Sequence, residues 1–256
     1  MLERSGLLAC FAGETLLAMD IEGVDLGRHG IVSLIQLATR EHCFVFDVQD
    51  KAIGDPLVIW LKMLLQNSNI TKIVHDCRMD SDALQHCLGI TMQNVHDTSS
   101  WHGVLFGEIN AGLNNVLNKY KIPQNEARDG SIYKTNHEFW KQRPLTPHMI
   151  AWAVGDIAGL FAIYDQQQET SQAEQKATAQ TMSNQAVAWA RAAKTCNVEV
   201  VNPRKFVGPG GKAVHALRAR SNTLLYHRGN RQKNNWIVYY EQECFAKMVL
   251  KAAARA

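Results

Sequence analysis

The chain has 256 residues, of which 46% are hydrophobic and 20% charged, with a formal net charge of +3. That composition excludes a disordered or low-complexity chain and supports a sizeable core. No apolar run approaches bilayer length, so no membrane partner is expected. The start, "MLERSGLLACFAGET", carries an acid at residue 3 and only a short apolar patch. It reads as no secretory signal, and an intracellular protein is expected. Six scattered cysteines without a CxxC pair fit reduced thiols.

In chain order, residues 15 to 48 read as a three-strand meander, "TLLAMDIEG", "IVSLIQLAT" and "CFVFDV". "PLVIWLKMLLQN" has helical periodicity after a proline start, "ITKIVHD" is a short strand, and "DSDALQHCLG" is a helix closed by Gly89. "NVHDT" is a strand and "AGLNNVLNKYKI" a helix. After the loop "KTNHEFWKQRPLTP", one helix is expected from about Pro147 through "MIAWAVGDIAGLFAIYDQQQ". A meander followed by alternating strands and helices implies an α/β fold, a mixed sheet covered by helices. Residues 166–195, rich in Gln and Ala, read as a solvated helical connector. Beyond it the charge changes sign. Residues 1–195 carry 16 basic and 21 acidic side chains, a net −5, and residues 196–256 carry 11 and 3, a net +8. Two modules are implied, the second facing a polyanion.

On a strand, Asp20 and Glu22 point to the same face, and neighbouring carboxylates resist ionising together unless a cation neutralises them. Oxygen-only ligands favour Mg²⁺ or Mn²⁺ over zinc, with a solvated strand end as the plain alternative. "KIVHDCRMDSDAL" places Asp76, Asp80 and Asp82 where a strand enters a helix. Asp156 stands among Ile150, Val154, Ile157 and Leu160, where a lone carboxylate is costly to bury.

Residues 10 to 165 resemble a DEDD-type 3′–5′ exonuclease of the ribonuclease D kind. Asp20 and Glu22 stand at the first motif, Asp80 in "HDCRMD" at the second and Asp156 at the third. "GLNNVLNKYKI" and "FWKQRPLTPHMIAWAVGD" resemble the family's flanking helices, and "DIEGVDLGRHG" is most similar to the Egalitarian-like and piRNA-pathway subgroup. The resemblance implies a ribonuclease H-like core whose four carboxylates hold two Mg²⁺ or Mn²⁺ ions for in-line hydrolysis of a phosphodiester. Asp76 is then expected to orient the turn and Asp82 to cap the following helix. The sequence departs from the family where a Tyr four residues before the last Asp, or a His five before, orients the attacking water. Trp152 and Ala151 occupy those positions, and a Trp has no acceptor. His148 is a candidate substitute. An active exonuclease and a catalytically degenerate scaffold both remain open. Arg28 and His29 stand where either substrate phosphate or solvent would face them, and Lys141 and Arg143 read as surface charge near the rim.

In the basic module, "NVEVV", "PRKFV", "GPGG", "KAVHALRARS", "NTLLYHR", "NWIVYY" and "EQECFAKMVLKAA" read as strand, helical turn, tight turn, helix, strand, strand and helix. From Asn202 to Lys233 there are eight basic residues and no acidic one. This resembles a type I KH domain, a small α+β fold. The resemblance implies a backbone clamp at Gly208, Pro209, Gly210 and Gly211, with Lys212, Arg218 and Arg220 as further RNA contacts. A basic domain docking on protein is the alternative. The expected domains are 1–165 exonuclease-like, 166–195 connector and 196–256 KH-like. Single-stranded RNA is the expected partner, with single-stranded DNA and proteins of an RNA-processing complex as further ones.

Overall fold

The computed structural model describes residues 4–200, 202, 206–207, 212–221, 224–227, 235–240 and 243–255. The chain divides into two compact units, Met1–Gly130 with Glu138–Ala188, and Ser131–His137 with Trp189–Ala256.

The first unit is built on a five-stranded mixed sheet. Strands β1 (Leu16–Val24), β2 (Ile31–Ala38) and β3 (Cys43–Asp47) form the antiparallel meander, and β4 (Thr71–Val74) and β5 (Val95–Asp97) add parallel to β1, in the order β3-β2-β1-β4-β5. β1 is covered on both faces, which explains its near-continuous apolar run. Leu17, Met19 and Ile21 face a core with Val58, Leu61 and Leu65 of α2 (Pro56–Leu65) and Leu84 of α3 (Arg78–Leu88). Ala18, on the other face, packs with Val116 of α5 (Leu113–Lys119), Ile157 of α7 (Pro147–Ala158) and Ile163 of α8 (Leu160–Thr170). Asp20 and Glu22 share the face of Ala18.

Local signals place the helices. Asp55 accepts from Leu57 N at 2.9 Å and Pro56 opens α2, while Gly89 at φ 65° closes α3. The helix expected to run unbroken from Pro147 is two helices meeting at Gly159, where a Cβ would lie 2.5 Å from Leu117 Cδ2. That glycine lets α5 approach closely. Three helices absent from the sequence expectation also form, α1 (Arg4–Cys10), α4 (Thr98–Phe106) and α6 (Ile132–Thr135).

The connector forms helix α9 (Ala173–Ala192), but it is not solvated all round. Ala179, Ser183 and Val187, each a turn apart, are buried. Gln180 Nε2 donates to Val95 O at 2.9 Å and Ser81 Oγ to Val187 O at 3.0 Å. Small side chains on one face let the helix pack closely, while Glu174, Thr178, Thr181, Asn184 and Gln185 stay exposed.

On β5, His96 is 1% exposed and lies against Trp101 of α4 (Thr98–Phe106), ring centroids 4.1 Å apart. Its Nε2 donates to Gln167 Oε1 at 2.8 Å, the orientation fixed by Gln167 Nε2 donating to Thr98 O. Burial pushes His96 down to about 4 from its ordinary 6.5. The unfolded chain therefore binds the proton first as pH falls. Stability is complete above about 6.5 and is lost toward about 4, by roughly 3 kcal/mol. Denaturant midpoints over that range are expected to fall steeply for wild type and less so for His96→Gln. Equal slopes would remove His96 from the acid sensitivity.

The second unit has its own core, with Val198, Phe206, Val214, Trp236, Val238 and Val249. Its antiparallel sheet has the order β6-β8-β7, from β6 (Lys194–Glu199), β7 (Leu224–His227) and β8 (Asn235–Tyr240). Helices α10 (Lys212–Ser221) and α11 (Glu243–Arg255) accompany it. The expected clamp, residues 208–211, lies outside the described residues, as do the side chains of Arg218 and Arg220; Lys212 opens α10 and is exposed.

Candidate active site

The site begins with the period-2 geometry of β1, which sends Asp20 and Glu22 to one face. Their register partners on β2 are Gln36 and Leu34, and the pairing shifts between Glu22 and Gly23. That bulge needs glycine, since a Cβ on Gly23 would sit 2.1 Å from Ile31 O. Helix α7 lies over the same face and brings Asp156. Ligand oxygens of Asp20, Glu22 and Asp156 all fall within 4.8 Å of one another.

Asp80, in the first turn of α3 and 6% exposed, does not join that 4.8 Å grouping, yet its charge acts on Glu22 and that of Asp20 acts on it. Burial, then the Asp156 charge, pushes Asp20 up to about 7. Burial, then Asp20, holds Glu22 well above the carboxylate range, and burial followed by Asp20 does the same to Asp80. Three carboxylates within 4.8 Å, with a fourth whose charge reaches them, are mutually destabilising unless a cation joins them. With oxygen donors only, the set fits a hard divalent cation.

Asp156 is held from three sides. Asn125 Nδ2 donates to its Oδ1 at 2.8 Å, and Trp152 Nε1 and Arg128 Nη1 each donate to Oδ2 at 3.0 Å. Trp152, 1% exposed, thus spends its N–H on the carboxylate one helical turn away. His148 Nε2 is committed to Ala127 O at 2.8 Å, so it ties down the 125–128 loop rather than standing in for the missing Tyr.

Several expectations are corrected by distant partners. Asp82 is no helix cap: fully buried, it takes Arg28 Nε at 2.9 Å, Nη2 at 2.7 Å and backbone N at 2.7 Å. The same pair turns Arg28 inward, away from the role of phosphate contact. Asp76 sits at φ 56° and receives Arg78 Nε at 2.6 Å, in keeping with a turn-orienting role. Arg143 pairs with Asp47 and Lys141 with Glu138. Asp97 at the end of β5 accepts from Asp76 N and Cys77 N, the two residues just ahead of α3, and from Ser99 N and Ser100 Oγ in the first turn of α4. One buried carboxylate thereby fixes the starts of both α3 and α4, and with α3 the placement of Asp80. Asp97, Asn125 and Arg128 were not legible as site residues, because each acts across more than twenty positions of sequence on an element with no periodic link to it.

A mixed sheet of this order, with two acids on its central strand and two more brought from α3 and α7, defines an RNase D-like exonuclease fold. An RNase D of Trypanosoma brucei, solved in complex with RNA U12, superposes with a TM-score of 0.61 at 21% identity, covering 73% of this chain and 67% of that one. The chain belongs to the 3′–5′ exonuclease family, which matches residues 7–171. Among curated relatives, piRNA biogenesis protein EXD1 of Mus musculus is 29% identical over 154 residues, 54% of this chain and 26% of that protein. Exosome complex exonuclease RRP6 of Saccharomyces cerevisiae is 31% identical over 151 residues, 59% of this chain and 19% of that protein. The chain therefore spans under a third of the length of either relative.

Proposed function

We propose that the chain is a divalent-metal-dependent 3′–5′ exoribonuclease acting on single-stranded RNA, with a KH-type module in its basic C-terminal unit that grips the strand. The observation that carries this is the convergence of Asp20, Glu22 and Asp156 within 4.8 Å, with Asp80 beside them. These four residues would hold two Mg²⁺ or Mn²⁺ ions, which supply a nucleophile from water near neutral pH and neutralise charge on the scissile phosphate. Asn125 and Trp152 keep the Asp156 carboxylate aimed at the site, and Asp97 fixes the start of the helix that carries Asp80. The RNA complex of the similar trypanosomal RNase D supports RNA as the substrate class.

For the second unit, the support is the net +8 of residues 196–256, an antiparallel three-stranded sheet and a helix that begins at Lys212, directly after the sequence GPGG. A phosphate backbone approaches a Gly-rich turn closely, since glycine carries no side chain. Changing Pro209 and Gly210 to Asp is expected to weaken single-stranded RNA binding about tenfold or more by charge repulsion at the clamp. Fluorescence anisotropy at fixed salt checks this, and wild-type affinity in that variant would remove the clamp role.

A second reading, an RNA-binding scaffold with a silent nuclease unit, is favoured by one observation: Trp152, at the family's water-orienting position, offers no acceptor and donates to Asp156. Incubation with 5′-labelled and 3′-labelled single-stranded RNA in Mg²⁺, Mn²⁺ or EDTA separates the two. Metal-dependent shortening from the 3′ end is expected. Intact RNA that still shifts in a binding gel would select the scaffold.

A further inference from the structure

We propose that Arg128 is a transferable cation of the site: it holds Asp156 in competition with divalent metal and, once metal has entered, takes the phosphate of the bound strand. This rests on the metal-dependent reading of the carboxylate cluster given above. Both carboxylate oxygens of Asp156 are bonded within the protein. A carboxylate offers about four lone-pair positions, and three are engaged by Asn125, Trp152 and Arg128. Two of those donors are neutral and fixed. Trp152 is buried on α7 itself. Asn125 lies directly over Gly155, where a Cβ would meet its side chain at 2.3 Å, and it also donates to Trp152 O.

Arg128 differs in both charge and setting. Its side chain is 41% exposed while that of Asp156 is 2% exposed, so it reaches the buried oxygen from the rim of the site. Its positive charge also acts on Asp20 and Glu22, easing their ionisation. A divalent cation shared by Asp20, Glu22 and Asp156 would meet a guanidinium bonded to one of its own ligands, and the two cations repel at contact distance. The neutral donors can stay; Arg128 is the one that has to yield. Asn125 and His148 pin the loop backbone at Ala127 from both sides, so the movement falls to the Arg128 side chain. The anion that the proposed reaction brings to that rim is a phosphodiester, for which a planar guanidinium is a suited partner.

The test measures metal and strand binding rather than turnover. Mn²⁺ is titrated calorimetrically into the full chain, Arg128→Gln and Arg128→Lys at one common pH of about 8, above the value of about 7 to which Asp20 is pushed. Binding of a short single-stranded phosphorothioate oligouridylate is then measured with and without saturating Mn²⁺. Arg128→Gln is expected to bind Mn²⁺ about tenfold more tightly than wild type and to lose about tenfold in oligonucleotide affinity only when Mn²⁺ is present. Arg128→Lys, which keeps the charge on a single point donor, falls between. Equal Mn²⁺ affinity in wild type and a folded Arg128→Gln overturns the proposal, as does an oligonucleotide loss that is the same with and without metal. If Arg128→Gln does not fold, Arg128→Lys decides, with unchanged Mn²⁺ affinity overturning the proposal. Wild type that binds no Mn²⁺ overturns the metal reading itself, a pattern distinct from failure of Arg128 alone.

Discussion

Asp20→Asn is expected to abolish nuclease activity while raising the melting temperature of the protein in metal-free buffer. The two effects share one cause. Asp20 is placed where burial and the charge of Asp156 push it up to about 7 from an ordinary 3.8. The folded state thus binds the proton more tightly than the unfolded chain. Its contribution to stability is present below about 3.8 and is lost as pH rises through about 7. At pH above 7 the charged carboxylate opposes folding, and an uncharged amide of the same shape relieves it. A gain of about 5 °C is expected for a unit of this size, shrinking toward acid. Excess Mg²⁺ should reverse the order, stabilising wild type and leaving the variant unmoved, because a ligand that binds only the native state adds to its stability. Activity should fall about a thousandfold or more, equivalent to roughly 4 kcal/mol of transition-state stabilisation. Undiminished cleavage by Asp20→Asn would place the hydrolysis at another site or in a contaminant.

What the sequence made legible follows from periodicity. The alternation of β1 put Asp20 and Glu22 on one face without knowledge of the fold, and the apolar surroundings of Asp156 marked it as a carboxylate that needs a partner. The mixed sheet followed from a meander succeeded by strand–helix alternation, and the order β3-β2-β1-β4-β5 agrees. The misread residues all depend on a partner chosen by tertiary packing. Asp82 lies close to the strand-to-helix junction in sequence, where capping is the ordinary role of Asp, but α3 begins four residues earlier, at Arg78. The turn into α3 is instead held by Asp97, about twenty residues away, and Asp82 turns inward to a loop 54 residues earlier.

The 125–128 loop carries no apolar pattern, so nothing in its spacing shows that Asn125 and Arg128 converge on Asp156. The break at Gly159 was equally hidden. A glycine inside an apolar helix is tolerated by propensity alone, and only the approach of Leu117 explains the turn. Asn125 and Arg128 were missed on an irregular loop, and Asp97 was missed at the end of a strand because the groups it binds ahead of α3 are chosen by packing.

The largest stability effect is expected at the ion pair that the sequence concealed. Arg28→Ala should cost roughly 3 kcal/mol, because removing one partner leaves a buried carboxylate short of its cation. Asp82 is fully buried and Arg28 has 16% of its side chain exposed, with the guanidinium held through Nε at 2.9 Å and Nη2 at 2.7 Å on the same oxygen. The backbone N of residue 28 and His86, 3.6 Å away, remain near Asp82 in the variant, which keeps the cost from rising higher. Arg40 and Asp165 make an equally bidentate pair, but with 53% and 51% of their side chains exposed. Arg40→Ala should therefore cost under about 1 kcal/mol.

The two arginines contrast burial with exposure: each gives two guanidinium N–H donors, but Arg28 places both on one buried oxygen and adds its backbone N–H, whereas Arg40 spans both oxygens of an exposed carboxylate. Asp82→Ala combined with Arg28→Ala should cost less than the sum of the single variants, by about 2 kcal/mol. The same pair closes the loop between β1 and β2 over α3, beside the strand end that carries Glu22. Arg28→Ala is accordingly expected to weaken Mn²⁺ binding as well as folding, and Arg40→Ala to leave it unchanged. Urea denaturation of the four variants measures the first effect and calorimetry the second. Equal losses from Arg28→Ala and Arg40→Ala would mean that burial adds nothing to the pair, and that Asp82 is compensated by its remaining neighbours.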